Sequence, residues 1–177
     1  MTFPMKLHEW VDISKLNWDR LSRNQNAIDL LKENPDKIDW YWLSGNPNAT
    51  ELLKANIDKI DYWDWDYLSI NSNAIELLKE NLNKINWRYF SANPNATELL
   101  KANSNKIDWY WLSRNPSAME LLKENQDKID WYNLSRNPNA MELLKENPDK
   151  INWGCLSANP SAIELLKKNP DKIDWDN

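Results

Sequence analysis

Apolar residues return along this chain in a phrase of 22 letters, best seen from Leu134 to Cys155, LSRNPNAMELLKENPDKINWGC. Copies begin at Leu21, Leu43, Leu68, Phe90, Leu112, Leu134 and Leu156, so the step is 22 everywhere except one step of 25. A fixed period of this length marks a stacked repeat protein, in which each copy buries its apolar side against its neighbours. Within the unit, Ala140, Met141, Leu143 and Leu144 form one helical stripe while Glu142, Lys145 and Glu146 face away. Asn recurs at places 4 and 14 and is often followed by Pro, as at Asn137-Pro138 and Asn147-Pro148. Asn is a favoured helix N-cap and Pro a favoured first helical residue, so the unit carries two helix starts and two short helices.

The start of the first helix has two readings. Asn-Pro places it at Asn137, whereas the capping-box spacing of Ser117-Ala118-Met119-Glu120 and Ser161-Ala162-Ile163-Glu164 places the cap two residues later. The second segment, Pro148 to Ser157, is also open. Ile151 and Trp153 are two apart, as in a strand, and Trp153 and Leu156 are three apart, as in a helix. The irregular copy favours helix, because its three extra residues, within Asp61-Tyr62-Trp63-Asp64-Trp65, make nearly one helical turn, whereas an odd insertion in a strand reverses every later side chain. The expected fold is therefore an all-α, right-handed solenoid of seven units, each of two short helices, the second α or 3₁₀. A leucine-rich-repeat-like strand at Ile-x-Trp is the alternative.

Three ladders are expected inside: Leu or Phe at place 1, Ile38 and its equivalents at place 18, and Trp40 and its equivalents at place 20. The Asn ladders would bond loop backbone that stacking removes from water. The chain has two glycines, so Asn is expected to supply left-handed turns as well. Residues 1–20 read as an N-terminal capping half-repeat: Lys15-Leu16-Asn17-Trp18 matches Lys-Ile-Asp-Trp, and Leu7, Trp10 and Val11 keep apolar spacing without the Asn signals. Residues 21–177 are the seven repeats. The last copy reaches Trp175-Asp176-Asn177 without a diverged cap, so this end is partly exposed, or stacks on another copy by homo-association, or belongs to a longer chain.

Composition narrows the chemistry. With 22 basic and 27 acidic residues the net charge is −5, the wrong sign for a phosphate-binding surface, so nucleic acid is a minor expectation. The one cysteine, Cys155, and the absence of an apolar leader after Met1 favour an intracellular compartment, and no apolar run reaches membrane length.

The stretch from Leu21 onward, about nine tenths of the chain, resembles the Asn-Pro and Trp-rich tandem repeats of large DNA viruses of the Mimivirus type, in which LSxNPNAIxLLxxNPDKIxW recurs. That resemblance implies a viral protein in a host cytoplasm and no particular activity. The two Asn-Pro steps and the Leu pair are also similar to the leucine-rich variant repeat, which alternates α and 3₁₀ helices. Its period is longer by about two residues, so it implies the fold class alone.

An enzyme needs one special constellation, and a near-perfect repeat supplies seven similar ones. His8 lies in the cap, Cys155 has no histidine beside it to activate it, and Asp127 to Asp130 lacks the glycine turn of a calcium loop. No cofactor or metal is expected, and helix capping explains the acidic phrase. The informative places are 21, 22 and 3, where the copies disagree. They hold Tyr41, Trp42, Tyr67, Arg88, Tyr89, Tyr110, Trp111, Arg114, Tyr132 and Arg136, of the types enriched in interface hot spots. These either line a ridge that binds a protein partner or fill space against the next unit. The expected function is a non-catalytic interaction scaffold. A self-assembling structural protein is the alternative, and a single-stranded nucleic-acid binder stands behind it.

Overall fold

Place 19 of the repeat decides how its second half folds. Ile151 and Asn152 are extended, with ψ of 125° and 100°, and the Asn152 side chain then accepts the Cys155 N–H at 2.9 Å, which starts a helix at Trp153. Asp39, Asp108 and Asp130 do the same for Trp42, Trp111 and Asn133. A short polar side chain here satisfies one of the amides that every helix start leaves without an internal partner.

The computed structural model describes residues 7–8 and 10–176. In chain order its α-helices are α1 (Trp18–Arg23), α2 (Ile28–Glu33), α3 (Trp40–Ser44), α4 (Thr50–Ala55), α5 (Asp64–Ile70), α6 (Ile75–Lys79), α7 (Trp87–Ser91), α8 (Thr97–Ala102), α9 (Trp109–Arg114), α10 (Met119–Glu124), α11 (Trp131–Leu134), α12 (Met141–Glu146), α13 (Trp153–Ser157) and α14 (Ile163–Lys167). The even-numbered helices carry the Leu-Leu pair and the odd-numbered ones follow Ile-Asp or Ile-Asn, except α1 after Leu16-Asn17 and α5 after the insertion. A 3₁₀ turn such as Pro148–Lys150 joins most of the even helices to the next odd one. The helices gather into two compact units, Met1–Phe90 and Ser91–Asn177. In the first, α3 packs on α1 and α5; in the second, α11 packs on α9. Each unit is an all-α stack of short helices in sequence order, a short-helix repeat solenoid.

The strand alternative fails among the described residues. At the regular joints only two residues are extended, and the amide of the second is taken by a serine hydroxyl instead of a neighbouring strand: Asp130 N–H donates to Ser113 Oγ and Asn152 N–H to Ser135 Oγ, both at 3.0 Å. Each serine in turn donates to the carbonyl four residues before it, as Ser113 does to Trp109 at 2.7 Å. The serine at place 2 thus ties the end of one odd helix to the start of the next.

The core consists of the expected place-1 ladder (Leu43, Leu68, Phe90, Leu112, Leu134 and Leu156, all 0% exposed) together with the second leucine of every pair but the last and the alanine at place 7. Burial contributes about 1.5–3 kcal/mol for each large apolar side chain, so the leucine ladders dominate the stability of helices too short to stand alone. Isoleucines at place 18 line the same interior, from Ile38 to Ile151. The tryptophans at place 20 do not. Trp65 is buried, but Trp40, Trp87, Trp109, Trp131 and Trp153 are half-buried and Trp175 is exposed. A lysine from the following 3₁₀ turn covers their outer face: Lys128 lies 5.1 Å from the Trp109 ring centroid, Lys150 4.7 Å from Trp131 and Lys172 4.6 Å from Trp153. A charged amine over an indole face keeps its own hydration while shielding the ring.

The two Asn ladders differ. At place 4 the amide reaches the preceding repeat, Asn137 Nδ2 donating to Ser113 O and Asn115 O at 3.1 Å each, and its oxygen accepts the Asn139 amide at 3.0 Å. Asn46 and Asn71 repeat this in the first unit. At place 14 the amide stays in its own repeat, Asn147 Nδ2 bonding Leu143 O at 3.0 Å. Neither ladder supplies a left-handed turn, since no described residue has positive φ. The expected helix starts also move. Asn115 caps a 3₁₀ turn, Pro116–Ala118, by accepting the Ser117 amide, and α10 begins after Ala118 with no side-chain cap. The capping boxes at Ser117 and Ser161 are therefore not made, because both serines sit inside those turns.

In the proposed cap, Ile13–Lys15 is a 3₁₀ turn capped by Asp12, and His8 stacks on Trp10 at 6.0 Å. Residues 1–6 and 9 of the cap lie outside the described residues.

Candidate functional site

Places 21 and 22 fall on the odd helices and place 3 at or just past their C-terminal ends, and the structure separates them. At place 21 Tyr41, Tyr110 and Tyr132 are 37%, 49% and 46% exposed and Arg88 is exposed, while Asp66 and Gly154 are half-buried. The next residue is about 100° further round the helix and turns toward the neighbouring repeat. There Trp42, Tyr67, Tyr89 and Trp111 are half-buried, and Asn133 and Cys155 are buried. The arginines Arg88, Arg114 and Arg136 are exposed. The ten candidate residues thus form an outer row and an inner row.

In the first unit, Tyr41, Trp42 and Tyr67 come together. Tyr41 lies 4.9 Å from Trp42 and 4.5 Å from Tyr67 by ring centroids, and Trp42 meets Tyr67 edge-on at 5.5 Å. Arg23 covers the far face of Trp42 at 4.1 Å. Gly45 makes room for this cluster, since a Cβ there would stand 3.0 Å from Tyr67 Cδ1. Tyr89 joins Tyr41, Asp66, Tyr67 and Ile70 around a cleft of about 290 Å³. The Tyr41 hydroxyl, as donor in its hydrogen bond with Tyr67, is held in its neutral form, and with burial and the neighbouring Tyr67, Tyr89 and Asp66 its pKa lies above the ordinary value.

In the second unit two of the candidate pairs join residues close in sequence. Arg136 stacks on Tyr132 at 4.8 Å and donates to its hydroxyl at 3.1 Å. Tyr110 meets Trp111 edge-on at 5.7 Å, and Tyr110 and Tyr132 share no ring contact. The exposed rings and guanidinium groups can stack, donate hydrogen bonds and bury apolar area on a partner. Cys155 is buried behind the Asn152 cap and His8 is exposed beside Trp10.

Three residues of the irregular joint stand out that the sequence reading treated only as a spacer. Tyr62 and Trp63 are 75% and 65% exposed and meet edge-on at 5.3 Å. Asp64 is buried beneath them. The available signal was that aromatics inserted into a regular phrase have no ladder to join.

No family model, no curated protein and no solved structure matches the chain. Its class rests on its own architecture, a short-helix repeat solenoid, in which no described helix is long and apolar enough to cross a membrane.

Proposed function

We propose that the chain is a non-catalytic scaffold that binds a protein partner through the outward residues of its odd helices. The supporting observation is the exposure of Tyr41, Tyr110 and Tyr132 at a place whose residue the stack does not dictate, next to places whose residues it does. Rigid aromatic side chains give large contact area for little lost freedom, and arginine adds directional donors. The test is quantitative capture from an extract of the native host, comparing wild type with Tyr110→Ser plus Tyr132→Ser. The reading expects at least one protein retained by the wild type and lost by a variant of unchanged melting temperature. An identical retained set would overturn it.

A second reading, association between copies, is favoured by one feature of the last repeat. Ile163, Leu166, Ile173 and Trp175 border an apolar groove of about 300 Å³, a surface that a second copy could cover. Sedimentation at rising concentration tests it: a strictly monomeric protein removes this reading.

A further inference from the structure

The joint between Ile60 and Trp65 holds three more residues than any other. Asp61 and Asp64 cap each other there: Asp64 Oδ2 accepts the Asp61 amide at 2.8 Å, and Asp61 Oδ1 accepts the amides of Trp63 and Asp64 at 2.9 and 3.2 Å. This doubled cap lifts Tyr62 and Trp63 into a lip. Between the lip and Asn83–Trp87 lies a cleft of about 640 Å³, lined among others by Asp61, Tyr62, Trp65, Asp66 and Lys84. Asp66 also borders the smaller cleft at Tyr41, Tyr67 and Tyr89, so aromatic walls stand on both sides of its carboxylate.

The chemistry of this cleft selects a cation. Asp66 is oriented by Asn86 Nδ2 at 2.6 Å through one oxygen only, and Asp61 spends one oxygen on its cap. Among the described residues, the second oxygen of each takes no protein donor. Lys84 lies in the same cleft, 4.9 Å from the Trp65 centroid, so its floor already holds an ammonium over an indole. With Lys84 offsetting one of the two carboxylates the cleft keeps a negative balance, so an anion would be disfavoured, and a neutral apolar group would strip the carboxylates of water without compensation. A guanidinium can stack on a ring and bond a carboxylate with two parallel donors.

We propose that this cleft receives an arginine side chain from a basic segment of the partner, stacked on Tyr62 and paired with Asp61 and Asp66. This deepens the scaffold reading by naming the chemistry of the partner. Deleting Tyr62–Asp64 joins Asp61 to Trp65 and rewrites the joint as Lys-Ile-Asp-Trp-Asp-Tyr, the regular phrase, so the deletion has a fold to adopt. Asp61→Asn plus Asp66→Asn keeps the cap acceptor and removes the charges. The probe is a labelled Gly-Arg-Gly-Arg-Gly peptide followed by fluorescence anisotropy, and Asp127→Asn plus Asp149→Asn is the charge-matched control.

We expect the peptide to bind about tenfold more weakly to the deletion and to the Asp61/Asp66 variant, with the control within about twofold of wild type. Equal binding to wild type and the Asp61/Asp66 variant overturns the proposal, and so does an equal loss in the control, which would mean bulk charge alone. Should the deletion lose its helical circular dichroism, the Asp61/Asp66 variant decides. The peptide assay needs no natural partner, so its failure leaves the capture experiment on Tyr110 and Tyr132 to be read separately.

Discussion

The regular joint at Ile129–Trp131 and the expanded joint at Ile60–Trp65 begin with the same Lys-Ile-Asp and solve the same problem differently. At the regular joint one aspartate caps the helix while its own amide goes to Ser113 Oγ at 3.0 Å. At the expanded joint the amide of Asp61 goes to Asp64 instead, and Ser44 Oγ keeps only its bond to Trp40 O at 2.8 Å. The tryptophan follows suit: Trp65 is 4% exposed, while Trp131 is half-buried under Lys150. The insertion therefore draws its polar groups inward and puts its two extra rings in solvent. Residues that stacking requires are absorbed by the stack, and those it does not require are left facing out.

The difference between the tryptophans should be the easiest to measure. Trp65→Ala removes a buried ring and should cost about 3–5 kcal/mol, against about 1.5–2.5 kcal/mol for the half-exposed Trp131→Ala. Urea denaturation compares them, and equal losses would mean that the two joints bury their rings alike. Serine gives a smaller contrast. Ser113→Ala orphans the Asp130 amide and should cost about 1–3 kcal/mol more than Ser44→Ala, which orphans no amide.

The smallest effect is a pH dependence at Asp64. Burial raises its pKa above the ordinary carboxylate range, and the nearby Asp61 charge adds to this, against the lowering by the Asp61 amide bond. The folded state then binds its proton more tightly than the unfolded chain, so the cost of the buried charge is absent at low pH and appears as pH rises through the raised value. Asp64→Asn should melt with wild type in acid and increasingly above it toward neutrality. A gap that stays constant with pH would assign no role to that charge.

Much of this was legible in the sequence because the period is nearly exact. Two helices per repeat, the leucine ladder and the inter-repeat job of Asn137 all follow from identical residues at identical depth. The first helix was misplaced because Asn115-Pro116 has the chemistry of an α start, yet it opens a 3₁₀ turn in which the buried Ala118 becomes the last residue before the helix. The serine tie was missed although Ser22 to Ser157 recur in all seven copies, since a hydroxyl that accepts an amide 17 residues away leaves no local pattern. Lys at place 17 and Trp at place 20 likewise recur together, and their contact becomes visible only once one repeat is laid on the next. For the candidate site, adjacent aromatics such as Tyr110 and Trp111 look alike in sequence, and only the helix phase tells the outer from the inner.

That separation of outer from inner is the claim on which the proposed surface stands, and comparative melting of two double variants tests it. Tyr110→Ser plus Tyr132→Ser should move the melting temperature by less than about 3 °C, whereas Trp42→Ala plus Trp111→Ala should lower it by about 10 °C or more. If the tyrosine variant falls as far as the tryptophan variant, the tyrosines belong to the stack and the outward surface does not exist.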